Sequence, residues 1–554
     1  MIKDLPVGLQ SFETIRKNDF IYIDKTKHLL NLIRKPGNYF LSRPRRFGKS
    51  LTVSTFEAMF KGKDELFKGL YAEDWVKEQA KHPNPVITLD MSGLDSYENI
   101  KEIDESLIND LQHIANEYKL NIDKERNAKA MFKKLIYALY EKFGLVVVLI
   151  DEYDFPITEY IDNIKMADKV RKFLRNFYIT LKTYTKYLRF VFITGISKFT
   201  KVGIFSGLNN LDDISMTEKY SDIVGYTQQE LEDNFSEWIE KTAIEKSVSK
   251  KELLEKIKEY YDGFSFDGII KVYNPFSVLK FFGEGKFRNY WYDSSTPSFL
   301  AKYFRDHKIK DSDEYRHLKV SSNFTNANEI ELASPESFLF QSGYLTIEKW
   351  NDDKNEITLD YPNEEVRDSL PNLYLYNIYN INDYVQLANE ILTYLKNGDM
   401  INVMLIFNRI LARIPYDDFS NDPVNKKTIE SLNEEQKKAF KKIMYSKKEK
   451  WYRSLFIMLL SVVKVQIYPE VHTNIGRPDI VIPFDDKIII IEFKLAPTSK
   501  NVKAKKKEGE EQIKKYISAY INVSSFINEG EKNTNKKIIT AVFVADDKKR
   551  QVIL

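Results

Sequence analysis

The sequence predicts a multidomain α/β protein, with a parallel, helix-flanked sheet in its N-terminal part and a smaller αβββαβ module at its C-terminus. Three observations carry this. Asn38-Tyr39-Phe40-Leu41 reads as a buried strand that runs through a short loop into Gly48-Lys49-Ser50 and a helical stretch from Ser50 to Phe60. Leu145 to Ile150 is a continuous apolar run ending in Asp151-Glu152, the pattern of a central parallel strand covered on both faces. Near the C-terminus, Ile488 to Ile491 feeds directly into Glu492-Phe493-Lys494, one hairpin away from Asp479.

The first of these elements sets the chemistry of the N-terminal part. A strand, loop and helix ending in Gly-Lys-Ser aims backbone N–H groups and a helix N-terminus at one anion, as in a nucleotide-binding P-loop. Around Gly48, Lys49 is expected to reach the β/γ-phosphates of ATP and the Ser50 hydroxyl to ligate Mg²⁺, with Arg45 or Arg46 contacting phosphate. Arg43 departs from the G-x-x-x-x-G-K-S pattern: it stands where the first glycine belongs and removes conformational freedom that a tight loop uses. On the second strand, Asp151 is expected to hold Mg²⁺ through water and Glu152 to polarise the attacking water.

The remaining elements of this part follow in order. Phe20 to Thr26 alternates and reads either as an edge strand or as a cover for the nucleotide base, with a helix beginning near Thr26. Pro85 to Asp90 is the next strand, and Ile103 to Tyr118 and Ala128 to Phe143 read as amphipathic helices, the alternation of a doubly wound sheet. Phe190 to Ile193 is another buried strand, ending in Thr194-Gly195-Ile196-Ser197-Lys198. Thr194 there either senses the γ-phosphate or water, as in P-loop ATPases with an additional strand, or caps the strand; Ser197 is held in reserve. A short strand over Asp213 to Met216 completes five, and the capping box Thr227 to Glu230 opens a helical lid.

Residues 250–350 carry helices and aromatic-rich turns such as Tyr260-Tyr261 and Tyr290-Trp291-Tyr292, assigned to core packing rather than to base stacking. Phe338 to Ile347 and Glu356 to Tyr361 read as a strand pair around the polar turn Asn351 to Asn355, and helices continue to about residue 445. The expected division is a P-loop domain over 1–240, a helical lid or winged-helix-like region over 241–350, a mainly helical connector over 351–445 and a C-terminal module over 446–554.

In that module, Glu449 to Val463 reads as a helix, followed by strands at Val465 to Val471, Asp479 to Ile482 and Lys487 to Lys494, a helix at Glu510 to Ile521 and a strand at Ile538 to Val544. The hairpin places Asp479 and Glu492 side by side, able to share one Mg²⁺, with Lys494 beside them to orient or activate a water. Phosphodiester hydrolysis needs such a set, a hard cation on oxygen ligands and a positive group at the nucleophile. Glu449 is expected to add a further metal ligand. The lysine-rich stretch Lys500 to Lys507 reads either as a phosphate contact or as a solvated loop.

Composition narrows the class. The 554 residues are too many for one core and imply about two to four domains. With 84 basic and 81 acidic residues the net charge is +3, so any nucleic-acid surface is local. The absence of cysteine excludes disulfides, thiolate catalysis and zinc ribbons. No signal-peptide pattern opens the chain, and the apolar run Leu455 to Val463 is too short to span a membrane, so a soluble cytoplasmic protein is expected.

The chain resembles bacterial and archaeal proteins that join an AAA-ATPase-like domain to a PD-(D/E)XK nuclease-like domain. The resemblance rests on Gly8 to Phe12, Tyr22 to Thr26, Arg43 to Ser50, Asp151 to Asp154 and Thr194 to Phe199 on one side. On the other it rests on Glu449, Gly476 to Asp479, Glu492 to Lys494, Gln512 and Tyr516. It implies an AAA-like P-loop fold, ATP and Mg²⁺ as cofactors, a metal-dependent nuclease fold, and nucleic acid, DNA first, as partner. Arg43-Pro44-Arg45-Arg46-Phe47-Gly48-Lys49-Ser50 is the family's own form of the loop. Self-association and any arginine finger stay open. The rival expectation is a nucleotide-dependent signalling or scaffold switch whose C-terminal domain binds without cutting.

Overall fold

The computed structural model describes residues 2–34, 36–94, 99–160, 163–198, 211–295, 315–325, 334–414, 434–469, 478–520 and 536–554. Two compact units result, one from the described residues up to Arg367 and one from those beginning at Asp368. The segment expected as a connector over 351–445 is divided between them at Arg367.

The first unit is built on five parallel strands, β1 (Gly37–Ser42), β2 (Val86–Asp90), β3 (Val146–Asp151), β4 (Leu188–Gly195) and β5 (Leu211–Asp213), in the order β2-β3-β4-β1-β5. The β4 strand lies between the loop-bearing β1 and the Asp-Glu strand β3, which is the additional strand expected from the sequence. All six residues of β3 are buried, which is why its sequence is uniformly apolar rather than alternating. The two faces of β4 part their residues: Phe190 and Phe192 pack on Phe56 and Phe60 of the helix Lys49–Phe60, while Val191 and Ile193 join the helices Ile100–Glu117, Ala128–Phe143 and Ile164–Thr183.

Short helices from Gln228 to Glu284 form a second core, into which Ile21 and Ile23 of the N-terminal segment insert. The capping box Thr227/Glu230 is present, and the aromatic residues Tyr261, Tyr273, Phe281 and Trp291 are buried core. Two readings need correction. Residues 20–25 form no strand; their alternate apolar side chains are spent on that helical core while the backbone runs as a cover. Phe338 to Ser342 is helical, within Pro335–Ser342, because Ser334 caps the N-terminus, Pro335 takes the first turn and Gly343 ends it at φ 94°. Strand begins only at Thr346, where β7 (Thr346–Asn351) pairs with β8 (Glu356–Asp360), itself paired with β6 (Leu318–Ser321).

The second unit holds a five-stranded sheet in the order β13-β12-β11-β10-β9, from β9 (Tyr468–Pro469), β10 (Ile480–Pro483), β11 (Lys487–Ala496), β12 (Lys537–Asp546) and β13 (Gln551–Ile553). The β10–β11 hairpin is antiparallel, and β11 pairs in parallel with β12 across the crossover helix Val502–Tyr520, giving the expected αβββαβ order with one added strand. Phe456 of the long helix Glu434–Val462 interlocks with Phe493, Phe543 and Phe407. The helix Met400–Leu411 closes the sheet edge: the Asn408 carboxamide donates to the Val552 carbonyl (2.7 Å) and accepts from its N–H (2.6 Å). Phe199, Gly476 and Arg477, and the strand expected beyond Pro469, lie outside the described residues.

Candidate functional site

The loop after β1 turns without a glycine at position 43. Its left-handed residues are Arg46 (φ 67°) and Gly48 (φ 94°), and Gly48 caps the helix that begins at Lys49. The freedom that the missing glycine would bring is therefore used elsewhere in the loop. Arg43 is 1 % exposed and does not reach the loop's ligand side. Its guanidinium donates to the carbonyls of Ser42 (3.0 Å), Ser215 (2.5 Å), Tyr220 (3.1 Å) and Ser221 (3.4 Å), and lies 3.9 Å from the Phe266 ring centre. It staples the loop to the segment that follows β5.

A cavity of about 340 Å³ opens on the other side. Its lining combines polar residues, Arg45, Arg46, Lys49, Ser50 and Glu152, with apolar ones that include Ile21, Ile23, Ile223, Val224 and Phe276. Ile21, Tyr22, Ile23 and Lys25 of the N-terminal segment are among the lining residues. Lys49 is buried, and its amine donates to the Arg43 and Pro44 carbonyls, both at 3.0 Å. Burial pushes this amine below the ordinary lysine range, with Glu152, Asp151 and Asp154 pulling the other way. Burial raises the Glu152 carboxyl, opposed by Lys49. Glu152 also sits at φ 50°, a conformation that costs a non-glycine residue about 1–2 kcal/mol and turns its side chain out of the strand. The Arg46 guanidinium lies 4.8 Å from the ring centre of Phe276, and Arg45, half-buried, also lines the cavity.

Asp151 and Thr194 stand behind this wall. The Thr194 hydroxyl donates to Asp151 Oδ1, which also accepts from the Glu152 N–H at 3.0 Å. Thr194 is fully buried and does not line the cavity, so it is placed to orient Asp151 rather than to touch a ligand. Ser197 is engaged by Asp154, whose carboxylate accepts from the Ser197 N–H (2.7 Å) and hydroxyl (2.6 Å) and from the Ile196 N–H (3.2 Å). Sequence reasoning gave Asp154 no role; it ties the end of β3 to the end of β4. A Cβ on Gly195 would come within 2.5 Å of Asp154 and Tyr153, so this join needs glycine.

The C-terminal site is assembled by strand register. Pairing of Ile480 with Ile491 continues to Asp479 opposite Glu492. The Phe493 N–H donates to Asp479 Oδ2 (2.7 Å), the Asp479 N–H to Glu492 Oε2 (3.4 Å), and Lys494 Nζ to Glu492 Oε1 (2.8 Å). Glu449 arrives from the long helix, accepting from the Leu495 N–H at 2.8 Å with Lys494 Nζ 4.0 Å away. Tyr516, whose hydroxyl is raised first by burial and next by the Glu492 charge, borders the same site. Arg453, one turn beyond Glu449, donates to Asp479 Oδ1 at 3.0 Å and was not foreseen; its i+4 spacing from Glu449 was the available signal. Carboxylate oxygens on three elements, with a lysine alongside, suit a hard divalent cation.

Burial, with the Asp479 charge second, pushes the Glu492 carboxyl up from 4.5 to about 7. Between those values the folded, metal-free chain keeps a proton that the unfolded chain has lost, so this residue's contribution falls as pH rises through 7. The expected loss is about 2–3 kcal/mol from pH 5 to 8. Urea unfolding should show it in wild type and not in Glu492→Gln; equal slopes would refute it.

Elsewhere among the described residues, His317 Nδ1 lies 2.7 Å from Glu348 and 3.6 Å from Asp360. Arg316 stands 3.8 Å from Asp360, and the group reads as an exposed ion-pair network.

A family model described as Predicted AAA-ATPase matches residues 6–205, and one described as PD-(D/E)XK nuclease superfamily matches residues 447–553. Over 516 residues the chain is 32% identical to a protein of Azotobacter chroococcum described as "Uncharacterized protein in vnfD 5'region", covering 92% of this chain and 93% of that one. The chain belongs to the family that joins a predicted AAA-ATPase domain to a PD-(D/E)XK nuclease superfamily domain. Among solved structures, the ORC2 protein of Aeropyrum pernix (ADPNP-ADP complexes) is 9% identical at TM-score 0.24, covering 63% of this chain and 88% of that one. The ORC1 protein of Aeropyrum pernix in complex with DNA is 9% identical at TM-score 0.24, covering 62% and 91%. Likeness at this level carries no argument about ligands. No helix among the described residues is long and apolar enough to cross a membrane.

Proposed function

We propose that this chain is a cytoplasmic, ATP-hydrolysing protein whose nucleotide state governs a Mg²⁺-dependent nuclease acting on nucleic acid, with DNA the expected substrate. The observation that carries the nuclease half is the gathering of Asp479, Glu492 and Lys494 at adjoining positions of one hairpin, where Lys494 Nζ donates to Glu492 at 2.8 Å and lies 4.0 Å from Glu449 of the long helix. Asp479, Glu492 and Glu449 would hold the metal, which supplies Lewis-acid polarisation of the phosphate and a more acidic water. Lys494, anchored on Glu492, orients the attacking water and offsets charge that develops on the phosphate.

In the first unit, the loop N–H groups and Lys49 receive the phosphates, Ser50 and Asp151 would hold the nucleotide's Mg²⁺, and Thr194 keeps Asp151 in place. Glu152, directed into the cavity, positions water for attack.

The test is cleavage of duplex DNA, single-stranded DNA and RNA with Mg²⁺ or Mn²⁺, with and without ATP, by the intact chain and by Glu492→Ala. Cutting that disappears in the variant is expected, and its dependence on ATP measures the coupling. If no substrate is cut under any condition, the nuclease reading fails and a binding switch takes its place.

A further inference from the structure

Asp479 has one oxygen committed to the fold and one facing the site. Its Oδ2 accepts from the Phe493 N–H, a group fixed by the β11 strand, which leaves Oδ1 as the oxygen not bonded to the backbone. That oxygen is already taken. Arg453 Nη1 donates to it at 3.0 Å, and the two side chains are only 11% and 16% exposed. From this geometry we propose that Arg453 is the resident counter-ion of the cluster and competes with a divalent cation for Asp479 Oδ1.

Charge balance gives the reason. Among the described residues the cluster holds three carboxylates, Glu449, Asp479 and Glu492, with Arg453 and Lys494 paired against them and Lys505 acting on Glu449 from farther away. Lys494 sits on Glu492 and within 4.0 Å of Glu449, which leaves Asp479 to Arg453. A shielded carboxylate without a partner is strongly destabilising, so Arg453 makes the metal-free site tolerable. A divalent cation brings its own countercharge, makes this pairing redundant and repels the guanidinium. Arginine does not shed its proton in a protein, so the side chain must move aside or remain as a nearby positive charge; both weaken metal binding. The long, flexible side chain allows the first course without displacing Asp479, which the backbone bond to Phe493 retains.

This inference rests on the metal-site reading of the cluster, and the test separates the two. Mn²⁺ binding to the full, nucleotide-free chain is measured by titration calorimetry and by the spin-resonance signal of free Mn²⁺, for wild type, Asp479→Asn, Arg453→Gln, Arg453→Met and Arg453→Lys, each checked by circular dichroism and melting. Asp479→Asn should lose a binding event seen in wild type, which establishes the site. Arg453→Gln, or Arg453→Met if the former does not fold, should bind Mn²⁺ roughly three- to tenfold more tightly. Arg453→Lys, keeping the charge, should stay near wild type. Unchanged or weaker binding in the neutral variants, or tightening in Arg453→Lys equal to theirs, overturns the competition while leaving the metal site standing. Equal Mn²⁺ binding by wild type and Asp479→Asn overturns both.

Discussion

Replacing Lys49 by alanine is expected to lower ATP turnover by roughly two to three orders of magnitude, the scale of losing one preorganised charge from a phosphoryl-transfer site. The amine is buried at the cavity wall, under the charges of Glu152, Asp151 and Asp154, and is held by the loop's own Arg43 and Pro44 carbonyls. Under the proposed function, the amine would exchange those two carbonyl oxygens for phosphate oxygens on nucleotide binding. Turnover is read by phosphate release, and binding separately with a fluorescent nucleotide. A folded Lys49→Ala chain that hydrolyses ATP at the wild-type rate would sink the phosphate-loop assignment.

The second large effect runs against the motif. Restoring glycine at position 43 brings the loop closer to the common G-x-x-x-x-G-K-S pattern, yet it should destabilise the first unit by about 3–5 kcal/mol. Arg43→Gly removes the donors of the buried Ser215, Tyr220 and Ser221 carbonyls and empties the space over Phe266. The segment so released leads directly into Ile223 to Tyr226, which line the cavity, so under the proposed function nucleotide affinity should fall with stability. Arg43→Lys, with one ammonium in place of a fork of donors, should recover only part of the loss. Urea unfolding gives the stability; an Arg43→Gly chain as stable as wild type would show that the staple does not hold the loop.

The parts of this protein that could be read from sequence are those whose evidence is local. Gly48-Lys49-Ser50 and Asp151-Glu152 lie at the ends of apolar runs, and a parallel sheet brings such ends to one edge whatever the details of packing. Asp479 and Glu492 follow from a hairpin register. What escaped depends on contacts remote in sequence. Thr194 was visible as a polar residue at a strand end, but its partner, Asp151, is on the neighbouring strand. Arg453 meets Asp479 only through the packing of helix on sheet. Phe338 to Ser342 is a short apolar run that periodicity cannot assign, and Ser334, Pro335 and Gly343, the residues that decide it, lie outside the run.

The Asn408 carboxamide has a further meaning for how the C-terminal sheet ends. An amide side chain offers one acceptor and one donor in the arrangement of a peptide unit, and Asn408 presents both to Val552 on the outermost strand. A helix thereby stands in for the next strand at this point. An unpaired outer strand is a template on which another chain can extend a sheet, in binding or in aggregation. At Val552 that template is already read, by a residue of the same molecule, so extension past β13 would first have to evict it.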